Sequence, residues 1–216
     1  MLIRDVMTTN VVTIASNTSL ADARRIMDAH RIRRIPVVDK GKLVGIVNKP
    51  ALDRAGPSQL TTFSVHELTY LLSKVTIREV MSKDLVTISP TSTVEEGVAL
   101  AQAHKIGALL VVEAGRLVGI ATTNDFFYKM LNPILGIGEP GSRISVVDCC
   151  KPVDIKKALD VIEQQGAELV NLFTMFNKEN GERSLVFHVT TEEPAAIMGI
   201  ISDLQSKGFK VEQRER

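Results

Sequence analysis

Shifted by 74 residues, the chain lies on itself. Ile3-Arg4-x-Val6-Met7 aligns with Ile77-Arg78-x-Val80-Met81, and Val12-Thr13-Ile14 aligns with Val86-Thr87-Ile88. Ala29-His30-x-Ile32 falls on Ala103-His104-x-Ile106, and Val37-Val38 on Val111-Val112. Gly41-x-Leu43-Val44-Gly45-Ile46 falls on Gly115-x-Leu117-Val118-Gly119-Ile120. The register holds without a gap for about fifty residues, the size of one supersecondary unit. One such unit cannot cover its own sheet, so the duplication predicts two units packed face to face about a pseudo-twofold axis.

Each copy reads as βαββα. A helical turn ends at Met7 or Met81, and an extended run follows over Val11–Ile14 or its counterpart. Ser19-x-x-Asp22 and Thr93-x-x-Glu96 are capping boxes that start a helix. The expected apolar faces are Leu20, Ala23, Ile26 and Met27 in the first helix and Val94, Val98, Leu100 and Ala101 in the second. Each helix ends near a His, and a cation there suits the helix dipole. Strands follow over Ile35–Val38 and Leu109–Val112. Gly-containing turns (Lys40-Gly41, Ala114-Gly115) lead into strands ending at Val47 and Ala121. A last short helix begins near Pro50 and near Thr123.

The expected division is 1–56 for the first unit, 57–75 for a helical connector built on Val65–Leu72, and 76–131 for the second unit. Residues 132–142 are rich in Pro and Gly and read as a linker. Residues 143–216 alternate differently: a strand from Ile144, a helix from Asp154, a strand over Leu169–Phe176, an Asn180-Gly181 hairpin signal, a returning strand, a helix from Pro194 and a last strand. That order, βαββαβ, is ferredoxin-like. The fold class is therefore α/β (α+β).

Hydrophobic residues make up 44% of the 216-residue chain and charged ones 24%, which places it among globular chains. Aromatics are 4% with no Trp, which argues against an aromatic-lined nucleic-acid surface. Net charge is +1, but residues 1–75 hold 11 Lys+Arg against 6 Asp+Glu. No secretory leader pattern and no run of bilayer length is seen, so a cytoplasmic location away from membranes is expected. Cys149 and Cys150 are adjacent and lack metal-ligand spacing. Cys149 reads as a buried small residue, with no base nearby in sequence to activate it. No nucleophile–base set, phosphate loop or metal cluster is present, so the sequence argues against an enzyme.

The chemistry concentrates in Arg116-Leu117-Val118-Gly119-Ile120-Ala121-Thr122-Thr123-Asn124-Asp125-Phe126, where an apolar strand runs into a helix start. The Thr122 hydroxyl and the amides of that helix start can face phosphate. Asp125, once ionised, is an acceptor-only group that suits a vicinal diol. It can equally cap the helix that begins near Thr123. Arg31, Arg33 and Arg34 read either as a solvated cluster or as phosphate contacts, with Arg33 and Arg34 ahead of Arg31. Met7 and Met81 are expected as core plugs at the pseudo-twofold.

With Gly119-Ile120-x-Thr122-x-x-Asp125 as its signature, the repeated unit resembles the CBS domain, and the pair resembles a Bateman module. The tail resembles an ACT domain, and the order CBS–CBS–ACT is similar to acetoin-utilisation AcuB-type proteins. The resemblance implies an adenine-nucleotide cleft (AMP, ADP or ATP, with NAD and S-adenosylmethionine as further candidates). Ile120, Thr122, Asn124 and Asp125 of the second unit and Thr8, Asn10, Ile32, Arg33 and Arg34 of the first would form it. Ile32 would pack on the adenine. The opposite cleft, with Asn48 for Thr122, Ala51 for Asp125 and Ile106-Gly107-Ala108 as its partner loop, is expected to be empty or weak. ACT domains that bind amino acids carry a Pro-Gly turn where this chain has Cys150-Lys151-Pro152-Val153.

The function expected is regulatory: an allosteric sensor that needs no cofactor, binds no nucleic acid, dimerises, and acts on a partner protein the sequence does not name. The alternatives are a dimerising scaffold or an amino-acid-responsive regulatory subunit.

Overall fold

The computed structural model describes residues 1–55 and 74–214. The expected connector helix over Val65–Leu72 lies outside the described residues. The chain divides into two compact units, Met1–Phe126 and Phe127–Arg216.

In the first unit both repeats build the same parts. The first has α1 (Ile3–Val6), α2 (Leu20–Ala29), β1 (Arg34–Asp39), β2 (Lys42–Asn48) and α3 (Lys49–Ala55). The second has α4 (Ile77–Val80), β3 (Thr87–Ile88), α5 (Val94–Ala103), β4 (Ala108–Glu113) and β5 (Arg116–Thr122). β1 pairs antiparallel with β2, and β4 with β5. The connecting residues Lys40-Gly41 (φ 50°, 78°) and Ala114-Gly115 (φ 48°, 77°) are all left-handed. Two such residues make a type I′ turn, whose twist matches that of the strands it joins. The extended run of the first copy is reduced to one parallel bridge, Ile14 to Val37, whereas Thr87–Ile88 of the second forms a short strand on β4.

Ser19 caps α2 by accepting from the Asp22 amide, and Thr93 with Glu96 forms the expected box at α5. Both helices end in the same way. The Ile32 amide reaches the Met27 carbonyl (2.9 Å) and the Ile106 amide reaches that of Ala101 (2.9 Å), with Arg31 and Lys105 left-handed at φ 53°. This is a Schellman ending made without glycine. The buried face of α5 runs through Val94 and Gly97, a turn away from the expected centre, because Gly97 admits Ile3 against the helix backbone.

That contact reveals an exchange of arms. Ile3 and Arg4 donate their amides to Ser92 and Pro90 of the second repeat, and Thr8 pairs with Ile120. Ile77 and Arg78 donate to Thr18 and Ser16 of the first repeat, and Ser82 pairs with Ile46. Ile77, fully buried, joins the core of Leu20, Ala23, Met27, Ile35, Val37, Val47 and Leu52. Ile3, also fully buried, sits beside Ile88 and Leu109. Burying one such side chain stabilises by about 1.5–3 kcal/mol, so each arm is fastened to the opposite repeat. Met7 seats on Gly119 and Met81 on Gly45, the plugs expected at the pseudo-twofold. Between the halves, Leu43 and Ile46 of β2 pack with Leu110, Leu117 and Ile120.

The second unit carries β6 (Ser142–Val147), α6 (Pro152–Gln164), β7 (Leu169–Phe176), β8 (Arg183–Val189), α7 (Pro194–Ser206) and β9 (Lys210–Arg214). The sheet order is β7-β8-β6-β9, antiparallel throughout, which is the ferredoxin-like βαββαβ arrangement. Ile144, Val146, Leu185, Phe187 and Val189 face Ala158, Val161, Ile162, Ile197, Ile200 and Leu204 in one core. The stretch 132–142, expected as a plain linker, carries a helical turn over Asn132–Leu135 closed by left-handed Gly136. Arg143 Nη2 donates to the carbonyls of Leu135 and Gly136, both at 3.0 Å. These bonds satisfy the open end of the turn and tie it to β6.

Candidate functional site

A cleft of about 590 Å³ opens between the two repeats of the first unit, within the range of small-molecule sites. Its chemistry starts where β5 ends. Thr122 is the N-cap of the turn Thr123–Asp125, and the Asp125 amide donates to its hydroxyl (3.4 Å). In return Asp125 Oδ2 accepts from the Thr122 amide (2.9 Å) and hydroxyl (2.6 Å). The capping role of Asp125 is therefore real. Its other oxygen, Oδ1, accepts from the Thr8 hydroxyl at 3.1 Å. Thr8 lies 117 residues away and arrives on the exchanged arm, held by reciprocal backbone bonds with Ile120 (2.9 and 3.0 Å). A ribose diol presents the same donor chemistry that Thr8 supplies to this carboxylate.

The opposite wall is cationic. Arg31, Arg33 and Arg34 all line the cleft, and among the described residues none of the three makes a salt bridge. Their neighbours behave otherwise: Arg24 pairs with Asp53 (2.9 Å) and Lys49 with Asp28 (2.7 Å). Arg34 is half-buried and lies across the bare backbone of Gly107. A Cβ placed there would stand 2.8 Å from its Nη2 and 3.3 Å from the Thr123 hydroxyl. Burial, and then the neighbouring charge of Arg33, push the Arg34 guanidinium below its ordinary value. An anion beside it would relieve both penalties. Arg31, Ile32 and Arg33 also line an adjoining depression of about 470 Å³ that reaches the Lys49–Asp28 pair.

Of the residues expected from the sequence, Thr8, Ile32, Arg33, Arg34, Ile120, Thr122, Asn124 and Asp125 line the cleft. Asn10 does not. The chain bends at Thr9–Asn10 once the single bridge at Thr8 is made, and Asn10 is left exposed. Part of the opposite cleft opens into the same space. Asn48, Pro50 and Gly107, assigned to it, line the same cavity as Asp125. Asn48 stands opposite Arg34 in the hairpin and caps the Ala51 amide (2.8 Å). The missing cation of that side is provided by Arg34 from across the pseudo-twofold. Thr123, expected only as a helix start, also lines the cleft, and Gly107, expected on the opposite side, lines it too. The one available signal was that Gly107 occupies the repeat position of Arg33.

Elsewhere, His30 and His104 are C-caps of their helices, as expected. Cys149 is fully buried, and burial, then the charges of Asp154 and Cys150, push its thiol up to about 11. No helix among the described residues is long and apolar enough to cross a membrane.

The CBS-domain family model matches residues 3–55 and 77–132. Inosine-5'-monophosphate dehydrogenase from Korarchaeum cryptofilum is 32% identical over 150 residues, 69% of this chain. The chain spans 28% of that enzyme's length. The CBS domain-containing protein YhcV from Bacillus subtilis is 30% identical over 130 residues, covering 60% of this chain and 86% of YhcV. Among solved structures, an acetoin utilization protein (AcuB) from Vibrio cholerae superposes with a TM-score of 0.53 at 33% identity, over 65% of this chain and 98% of its own. Two matched copies, together half of the chain, with the exchanged arms and the shared cleft between them, make this protein a member of the CBS-domain family.

Proposed function

We propose that the protein is a regulatory sensor that binds an adenosyl compound (AMP, ADP or ATP, with NAD or S-adenosylmethionine in the same class) in the Asp125 cleft and acts on a partner protein. The observation that carries this reading is one cavity lined by a threonine-held carboxylate and by guanidinium groups that make no salt bridge among the described residues. Asp125 and Thr8 take the ribose, Ile32 and Ile120 flank the base, and Arg33 and Arg34 meet phosphate. Thr122 holds the carboxylate, and Asn124 edges the mouth. The AcuB and YhcV resemblances support a regulatory role without chemistry of its own. The ligand acts through unequal affinity for two arrangements of the repeats, and Thr8, which belongs to one repeat and bonds to the other, senses the difference.

The working divisions are the two CBS units at 1–56 and 76–131, the connector at 57–75, the junction at 132–142 and an ACT-like domain at 143–216. The ACT-like sheet dimerises the chain. Its edge strand β7 exposes Leu172, Met175 and Phe176 at 38–55%, and an exposed apolar edge is a template for pairing. The compartment is the cytoplasm. Calorimetric titration of AMP, ATP and S-adenosylmethionine against wild type and Asp125→Ala tests the reading. Saturable heat in wild type, weakened at least about tenfold in the variant, is expected. No heat with any adenosyl compound refutes it.

A further inference from the structure

Asp125 and the three arginines line one cleft, and the order in which they lie bears on what a ligand must be. Arg34 reaches over Gly107 to the neighbourhood of Thr123, two residues from Asp125. Arg31 and Arg33, by contrast, line both this cleft and the depression beside it, toward Lys49. The cationic strip therefore starts at the carboxylate turn and runs outward into a second hollow. One phosphate next to a ribose on Asp125 can meet Arg34, and a longer tail can follow Arg33 and Arg31 toward the hollow they share with the Lys49–Asp28 pair.

Two backbone features accompany this layout. Arg31 is left-handed, φ 53°, in the Schellman ending of α2. Its counterpart Lys105 is left-handed as well but lies outside the cavity. Gly107, the counterpart of Arg33, has no side chain, and that absence gives Arg34 its path across the pseudo-twofold. The duplicated halves have thus diverged so that one half supplies the cations and the other supplies space for them.

We infer that the cleft selects an adenosyl ligand with an extended anionic tail, a nucleoside di- or triphosphate, over the monophosphate and over uncharged or sulfonium adenosyl compounds. Arg34 engages the phosphate nearest the ribose, and Arg33 and Arg31 engage the distal ones. This deepens the adenosyl reading of the cleft and rests on it. The depressed basicity of Arg34 agrees with a group that awaits an anion.

The test compares AMP, ATP, 5'-methylthioadenosine and inorganic tripolyphosphate by calorimetry at two ionic strengths, on wild type, Arg31→Ala, Gly107→Ala and Lys105→Ala, with melting curves as a check on folding. The expected result is ATP at least about tenfold tighter than AMP, with methylthioadenosine weakest and a steeper salt dependence for ATP. The ATP-to-AMP ratio falls toward one in Arg31→Ala, Gly107→Ala weakens both nucleotides alike by displacing Arg34, and Lys105→Ala leaves both affinities unchanged. Equal affinities for ATP and AMP in wild type, or a ratio that survives Arg31→Ala, overturn the inference and leave the adenosyl reading standing. Binding of tripolyphosphate that depends on Arg31, with no adenosyl compound bound, overturns both and leaves a plain anion site. No binding of any probe overturns both.

Discussion

Gly45 and Gly119 give the protein an internal control. Each lies on the returning strand of its repeat's hairpin and receives the methionine of the other repeat's arm. A Cβ at Gly119 would overlap the Met7 sulfur and stand 3.2 Å from the Thr8 carbonyl. At Gly45 it would overlap the Met81 sulfur and stand 3.1 Å from the Ser82 carbonyl. Methionine is unbranched and can swing away, but the backbone carbonyls cannot, because they accept from Ile120 and Ile46. Overpacking of this kind costs about 1–3 kcal/mol. Alanine in place of a strand glycine returns about 0.5–1 kcal/mol of backbone entropy. Each variant should therefore lose about 1 kcal/mol, a melting shift of a few degrees. The two differ at the site. Gly119→Ala pushes on the arm that brings Thr8 to Asp125, so nucleotide affinity should fall about threefold to tenfold, the worth of one hydrogen bond. Gly45→Ala pushes on Ser82, which does not line the cleft, so affinity should hold. Calorimetric melting and ATP titration of both variants check this. Equal loss of affinity in the two, or loss of stability in Gly119→Ala with affinity unchanged, would refute the idea that the exchanged arm positions Thr8.

Three further outcomes follow from local chemistry. Asp39 accepts from the Ser16 amide (2.8 Å), and its bonds to Ser16, with the charge of Arg78 beyond them, hold its carboxyl below 3.8. A depressed carboxyl stabilises the fold above its unfolded value and stops doing so as pH falls through the folded one. Urea midpoints of wild type should thus drop between pH 5 and 3 more than those of Asp39→Asn. Lys105→Gly relieves a left-handed lysine at the end of α5 and should raise the melting temperature by a degree or more. Iodoacetamide at pH 8 should label half-buried Cys150 in the folded protein and spare buried Cys149, whose thiol near 11 is almost wholly protonated there.

The repeat was legible because hydrophobic spacing, capping boxes and two-residue turns are local signals, and both copies repeat all of them. The carboxylate turn was legible for the same reason, since Thr122 and Asp125 form a capping box whatever else they do. The exchange of arms was not. Ile3-Arg-x-Val-Met and Ile77-Arg-x-Val-Met are interchangeable as patterns, and either half could offer a matching groove. The choice depends on three-dimensional contacts such as Ile3 against Gly97. Asn10 was misplaced because an extended run was expected where a single bridge, followed by a bend, is made.

Asn48 and Gly107, placed by the repeat in an opposite cleft, line the Asp125 cavity for a reason that reaches into function. Position by position, the repeat implies that each half furnishes its own cation. Near a pseudo-twofold axis, however, equivalent residues from the two halves are neighbours, and a long side chain crosses from one to the other. Arg34 crosses because Gly107 lets it. A loss in one copy then becomes an opening for the other, and the two half-sites evolve as one asymmetric site. Perturbing either half should therefore alter a single binding event. Titrations of wild type should fit one site for each chain, and a second independent site of similar affinity would contradict the merged cleft directly.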